Sequence, residues 1–362
     1  MTEFETESSV LFKKIHGCLI GGLIGDAMGG PTEGMHYKDI QAKFGTITSL
    51  IEYKGRPAGY ATDDSALKHM LCKAILRRGG RPSCEDWAEV WLEDMDLRMF
   101  IAPVVNSYNK MFVMGVQPRE AGRGNHVSNS SAMCISPIGI IDACNPHLAA
   151  LDAYDLSQLI HSGFPQDGAS AIAAAVAQAF EPRTTVDSVI EAACAYLPKK
   201  SDVLVGINYA LKLAREAGDY TTFRDRFYEG LEAEPGDPRA DPRPVLPPET
   251  YYKTKRYKTD PRESVPAALA IFWLNQGEPK QTIIDCANFG RDSDTIGTMA
   301  GAIAGAFKGV QSFPPEWVDA VQRVNQPNQL ELAGRLFKVI LKMTRENEER
   351  IQTIKGLLHK QQ

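Results

Sequence analysis

Gly290-Arg291-Asp292-Ser293-Asp294-Thr295-Ile296-Gly297 decides how this chain is read. Two carboxylates stand two residues apart, a hydroxyl follows, and a run of Ala, Gly, Ile and Met continues to Phe307. The run reads as a helix with few side chains. Its carboxylates have little to pair with unless a cation or a ligand sits against it. A second block of the same chemistry, Thr62-Asp63-Asp64-Ser65, opens another helix far upstream. Either block alone reads equally well as a helix cap, because Asp, Ser and Thr satisfy the free N–H groups of a first turn and acids suit its dipole. A cap needs one acceptor, however, and the two blocks together offer four carboxylates and two hydroxyls with no His or Cys beside them. That all-oxygen set suits Mg²⁺ or Mn²⁺ and not zinc. Four acids would overcharge one ion, so two ions sharing bridging carboxylates are the expectation.

Working outward, Leu11 to about Ala27 reads as a helix, with Leu11, Ile15, Leu19 and Leu23 recurring every four residues. Gly17, Gly21 and Gly25 cost it propensity, which a closely packed neighbouring helix or ligand would offset. It should stop near Gly29-Gly30-Pro31, leaving Asp26 and Glu33 around its C-terminal end. A short extended piece is expected near Ile47 to Tyr53. Thr62 to Arg78 is a helix start and body, closed by Gly79-Gly80. Trp87, Val90, Trp91 and Leu97 suggest another helix, and residues 118–131 read as loop.

Beyond Ser157 helical patterns crowd together: Ala169 to Phe180, Val186 to Leu197, and Leu204 to Ala214. Six prolines between 234 and 250 break the pattern, which returns at Ser264 to Leu274, Lys280 to Asn288, Asp294 to Lys308 and Leu330 to about Leu358. Period-2 runs and repeats do not stand out. The expectation is an all-α, single-domain bundle: a flexible N-terminus (1–10), a helical domain (11–345) with a Pro-rich irregular insertion at about 232–262, and a helix end or tail (346–362).

The net charge of −5, with no basic run, argues against nucleic acid as a partner. Seven cysteines, an odd number without a CxxC pair, read as reduced thiols of a cytoplasmic protein. The acidic, polar N-terminus is not a signal peptide. The most apolar stretches, Gly17 to Gly30 and Ile296 to Phe307, are shorter than the roughly 18 residues a membrane span needs.

The chain resembles the ADP-ribosylglycohydrolase family, the dinitrogenase reductase-activating type included. The resemblance rests on Gly17 through Gly29, on Thr62-Asp63-Asp64-Ser65 and on Gly290 through Gly305. Weaker support comes from Ser130-Ser131-Ala132-Met133 with Pro137-Ile138-Gly139, and from Glu263 through Leu269. It implies an orthogonal helical bundle holding two Mg²⁺ or Mn²⁺ ions, with Thr62, Asp63 and Asp64 as ligands from one side and Asp292, Asp294 and Thr295 from the other. It implies hydrolysis of the bond at the anomeric carbon of a ribosyl or ADP-ribosyl group, on a modified protein or a small adduct. Asp26 would support the ligand shell, and Glu33 matches a loop acid beside the scissile bond. These two are the catalytic candidates, with Asp94 and Asp96 as weaker ones for proton transfer. Asn129, Ser130, Ser131 and Met133 fall at the expected substrate loop, and His161 and Arg291 complete the candidate substrate contacts.

Three departures bear on the substrate. Cys134 stands where many members carry Arg, Arg291 stands where many have Gly, and Ser162-Gly163-Phe164 follows His161. They leave room for a smaller ribosyl N-glycoside or nucleoside-like substrate. Tyr251, Tyr252 and Tyr257, among Lys253, Lys255, Arg256 and Lys258, could stack a base and hold a phosphate. A two-metal phosphoesterase lacks the clustered His or Lys its chemistry usually adds. A non-catalytic metal-binding structural member has no need of six hard ligands.

Overall fold

The computed structural model describes residues 7–232 and 258–358. The start of the N-terminal segment, most of the Pro-rich insertion with its three tyrosines, and the last four residues lie outside them. In order come α1 (Val10–Gly29), α2 (Tyr37–Phe44), α3 (Asp63–Arg78), α4 (Cys84–Asp94), α5 (Ala102–Phe112), α6 (Ser130–Met133), α7 (Ser136–Ile141), α8 (Pro146–Ser157) and α9 (Phe164–Ala179). They continue with α10 (Val186–Ala195), α11 (Asp202–Ala217), α12 (Tyr220–Glu232), α13 (Pro261–Leu274), α14 (Pro279–Phe289), α15 (Ser293–Lys308), α16 (Pro315–Val324) and α17 (Gln329–Leu358). Among the described residues there is no strand, only isolated bridges, so the chain is all-α.

The centre of the fold is the antiparallel pair α1 and α15. A Cβ on Gly21 would stand 2.1 Å from the Gly301 carbonyl oxygen, one on Gly25 2.0 Å from that of Gly297, and one on Gly305 1.9 Å from that of Gly17. Glycines spaced by four on both helices therefore let the two backbones touch, which only residues without a side chain permit. Both helices are buried almost throughout, and Ile15, Leu19, Ile296 and Ile303 are fully inaccessible. The alanine-rich α9 and the apolar α13 pack around the pair, with Ala173, Val176, Ala268 and Ile271 buried between elements. Long amphipathic α17 covers α1 through Leu336 and Phe337.

Helix limits follow local chemistry. Ser9 caps α1 by accepting from Phe12 N at 3.2 Å, and Gly30-Pro31 ends it in a 3₁₀ turn. Gly79, left-handed at φ 65°, closes α3. The expected extended piece at 47–53 is not a strand. Instead the side chain of Asn288 clamps the backbone there, accepting from Ile47 N at 2.9 Å and donating to Ile47 O at 2.8 Å. The expected loop at 118–131 contains a 3₁₀ turn at Pro118–Glu120 and gives way to α6 at Ser130. The helix expected from Leu330 to about Leu358 is α17, which runs unbroken to that residue.

Candidate active site

The α1–α15 contact places the C-terminal turn of α1 beside the first turn of α15. Asp26, next to Gly25, is therefore delivered under Asp294, three residues before Gly297. Asp26 is fully buried, and both its oxygens are engaged: Oδ1 accepts from Thr62 N at 2.8 Å and Oδ2 from Ser65 N at 3.0 Å. It thus caps α3 from another helix. Thr62, the residue at the cap position, makes no side-chain cap bond; its hydroxyl points at Asp64 Oδ2, 3.3 Å away.

The same happens at α15. Asp292 holds the cap position without a side-chain cap bond. Its Oδ2 accepts instead from Asn129 Nδ2 at 2.5 Å, and the same amide donates to Ser264 Oγ at 2.9 Å. Asp294 Oδ1 accepts from Thr295 N at 3.0 Å. At both helix starts the residue in the cap position makes no side-chain cap bond of its own, and at α3 Asp26 takes that role.

Glu33 arrives by a different route. The backbone of residues 34–35 pairs with that of Arg291: Gly34 N donates to Arg291 O at 2.6 Å, and Arg291 N donates to Met35 O at 2.8 Å. Arg291 adopts φ 58° and Gly290 φ 78° to present these groups. Thr32 secures the base of the turn by donating to Ala287 O at 2.7 Å. As a result carboxylate oxygens of Glu33, Asp292 and Asp294 lie within 4.8 Å of one another.

The electrostatics follow from that crowding. Burial, then the charge of Asp26, pushes Asp63 up to about 7. Burial, offset in part by the Asn129 hydrogen bond, leaves Asp292 raised to about 6. Asp64 and Asp294 are raised well above the usual carboxylate range by burial and by each other's group of acids. Asp64 Oδ1 is buried without a hydrogen-bond partner. Buried, mutually repelling carboxylates and an orphaned oxygen, all hard donors, fit a divalent cation of the Mg²⁺ type.

The remaining candidates divide. Asn129 joins the cluster. Ser130, Ser131 and Met133 form the buried helix behind it. His161 is 1% exposed, with one ring nitrogen 2.9 Å from Ser128 Oγ and the other 2.9 Å from Ser131 Oγ. It therefore braces the Asn129 loop and presents no free nitrogen. Arg291 makes a two-point contact with buried Glu263, Nε to Oε1 at 2.7 Å and Nη2 to Oε2 at 2.8 Å. Asp94 and Asp96 are elsewhere, on exposed pairs with Lys73 and Arg98. Cys134 is a buried thiol donating to Ser130 O.

Two lysines stand differently from the sequence reading, which placed Lys258 among cations that could hold a phosphate and passed over Lys68. Lys258 Nζ lies 2.6 Å from Glu33 Oε1 and within the field of Asp292 and Asp294. Lys68 is fully buried in α3, one turn beyond Asp64. The second carried a signal, a lysine between Leu67 and Leu71 on the apolar face.

A family model described as ADP-ribosylglycohydrolase matches residues 7–346. The chain is similar to "Uncharacterized protein YegU" of Escherichia coli K12, 27% identical over 87% of this chain and 93% of that protein. It is similar to "ADP-ribosylhydrolase ARH3" of Mus musculus, 25% identical over 84% of this chain and 86% of that one. Among solved structures, an "ADP-ribosylglycohydrolase-related protein complex" shares the fold with TM-score 0.63 at 19% identity, over 91% of this chain and 98% of that one. No helix among the described residues is long and apolar enough to cross a membrane.

Proposed function

Because the chain belongs to the ADP-ribosylglycohydrolase family, whose members hydrolyse glycosidic bonds, we propose that it cleaves a ribosyl glycosidic bond with two Mg²⁺ ions, or Mn²⁺, as cofactors. The substrate is an ADP-ribosyl group on a protein side chain or a small adduct. The observation that carries this is the convergence of Glu33, Asp292 and Asp294, from opposite ends of the chain, on one partly buried point.

Thr62, Asp63 and Asp64 would hold the ions from α3, and Asp292, Asp294 and Thr295 from α15. Bound there, the ions supply Lewis acidity toward the ribose hydroxyls and toward a water. The protein's own groups do the rest. Asp26 holds the Thr62–Ser65 turn by its two backbone contacts, and Asn129 fixes the orientation of Asp292. Glu33, the acid of the cluster on a loop, moves the proton: it accepts one from the attacking water and returns it to the leaving group as the glycosidic bond breaks.

One observation favours a smaller ribosyl N-glycoside or nucleoside-like metabolite as the alternative substrate. Arg291 and His161, two of the sequence's candidate substrate contacts, are both engaged within the protein. The test is incubation with Mg²⁺ or Mn²⁺ and, in parallel, ADP-ribosylated arginine, ADP-ribosylated serine, ribonucleosides and a phosphoester. Release of ADP-ribose supports the first reading and of ribose the second; phosphate release alone, or inertness to all, sinks both.

A further inference from the structure

We propose that Lys68 is a built-in counter-cation of the carboxylate cluster, stabilising the metal-free site and weakening its hold on divalent ions. This rests on the metal-site reading above and adds to it a residue outside the ligand set.

The side chain is among the largest in the protein that are fully inaccessible, and its ammonium has no hydrogen-bond partner. A buried charge without compensation is expensive, so a compensating charge is expected close by. Burial pulls the ammonium's pKa down from the ordinary lysine range, and the groups that oppose this and favour its charged form are Asp26 first, then Cys72, Cys18 and Asp64. The two carboxylates are the capping acid of α3 and a candidate ligand. Lys68 follows Asp64 by four residues on α3, so both lie on one face of the helix.

The packing makes room for this cation. Gly22 faces both α3 and α15, where a Cβ would stand 3.3 Å from the Thr298 carbonyl oxygen. A Cβ there would have Lys68 Nζ as its nearest neighbour, at 3.1 Å. Ser65 Oγ and Thr298 Oγ1, on the helices flanking this space, are likewise buried without partners. A lysine fixed beneath a group of acids relieves their mutual repulsion when no ion is bound and opposes an entering dication.

The experiment is Mg²⁺ titration of the metal-stripped full chain by calorimetry, with melting temperature measured in parallel. Lys68→Met should bind Mg²⁺ roughly ten-fold tighter or more than the wild type, the sense and scale expected for removing one like charge nearby. It should also show a larger gain in melting temperature on Mg²⁺ addition. Loss of a merely structural side chain would weaken binding. Lys73→Met, an exposed lysine on the same helix, should change affinity by less than about two-fold. Equal or weaker Mg²⁺ binding by Lys68→Met overturns the proposal. If that variant does not fold, Lys68→Gln makes the same charge change with a polar end, and its failure to fold even with Mg²⁺ also overturns the proposal. A wild type that binds no Mg²⁺ overturns the metal reading and this inference together. A wild type that binds, with a variant no tighter, overturns this inference alone.

Discussion

Gly25 and Gly297 meet backbone to backbone: a Cβ on the first would lie 2.0 Å from the carbonyl oxygen of the second. That contact fixes how far the end of α1 sits from the start of α15, and so where Asp26 lies under Asp294. A methyl group there cannot be accommodated by a side-chain rotation, because the obstacle is main chain. Gly25→Ala should therefore cost at least the upper end of ordinary overpacking, about 3 kcal/mol. Gly334→Ala is the contrasting case, a helical glycine whose Cβ would meet only Phe12 Cε2 at 3.9 Å. It should be neutral or stabilising by up to about 1 kcal/mol. Denaturant melts of the two variants check this, and a Gly25→Ala protein as stable as wild type would show that the helices are not in contact.

Asp294 and Asn129 should separate ligand from support. Asp294→Ala removes a central acid of the cluster, so Mg²⁺ should no longer raise the melting temperature and hydrolysis should vanish with it. Asn129→Ala removes only the amide that orients Asp292. Loss of such an outer partner usually costs about 10–100-fold in metal affinity or activity. Metal content after dialysis against Mn²⁺, measured by elemental analysis, distinguishes them. Asp294→Ala retaining a full complement of metal would remove it from the ligand set.

Much of this arrangement can be read from the residues alone. The two acidic blocks announce themselves because a carboxylate pair and a hydroxyl exceed what one helix start requires. The glycine spacing of α1 announces a close neighbour, although the matching series Gly297, Gly301 and Gly305 has to be seen in register before the partner is known. Pairings between distant segments are not legible. Nothing local in Arg291 tells that its backbone holds the Glu33 turn while its guanidinium turns to Glu263. Nothing local in the sequence names Ser128 and Ser131 as the groups that close on both nitrogens of His161. Short helices such as α2 and α16 escape a periodicity reading because eight or ten residues hold too few apolar positions to define a face.

Glu33 and Lys258 form the most open contact of the cluster, with about a third of each side chain exposed. Glu33→Gln keeps the shape of the side chain and removes its proton-accepting capacity. It should lower kcat by roughly 10²–10⁴-fold while leaving Mn²⁺ content unchanged. Lys258→Met leaves the carboxylate in place but frees it from its partner. It should lower kcat by less than Glu33→Gln does. Steady-state kinetics alongside metal analysis checks both, and Glu33→Gln with undiminished kcat would move the proton-transfer role to another acid.

The raised acids make stability depend on pH in a definite direction. Asp63 near 7 and Asp292 near 6 hold protons in the metal-free fold at pH values where the unfolded chain, with ordinary carboxyls near 3.8, has lost them. The folded state then binds more protons than the unfolded one, so stability falls as pH rises through this window. The contribution is fully present below the unfolded value and gone above the folded one, which places the loss between about pH 4 and pH 7. Metal binding runs the other way, because ligand carboxylates must be ionised and their protons are released on loading. Metal-free protein in chelator should therefore melt at a lower temperature at about pH 7.5 than at about pH 5.5, and the gain on adding Mg²⁺ should be larger at the higher pH. Scanning calorimetry at both pH values, with chelator and with Mg²⁺, measures the two trends. A metal-free melting temperature that climbs across this interval, with a shrinking Mg²⁺ effect, would mean that the acids of α3 and α15 do not crowd one another.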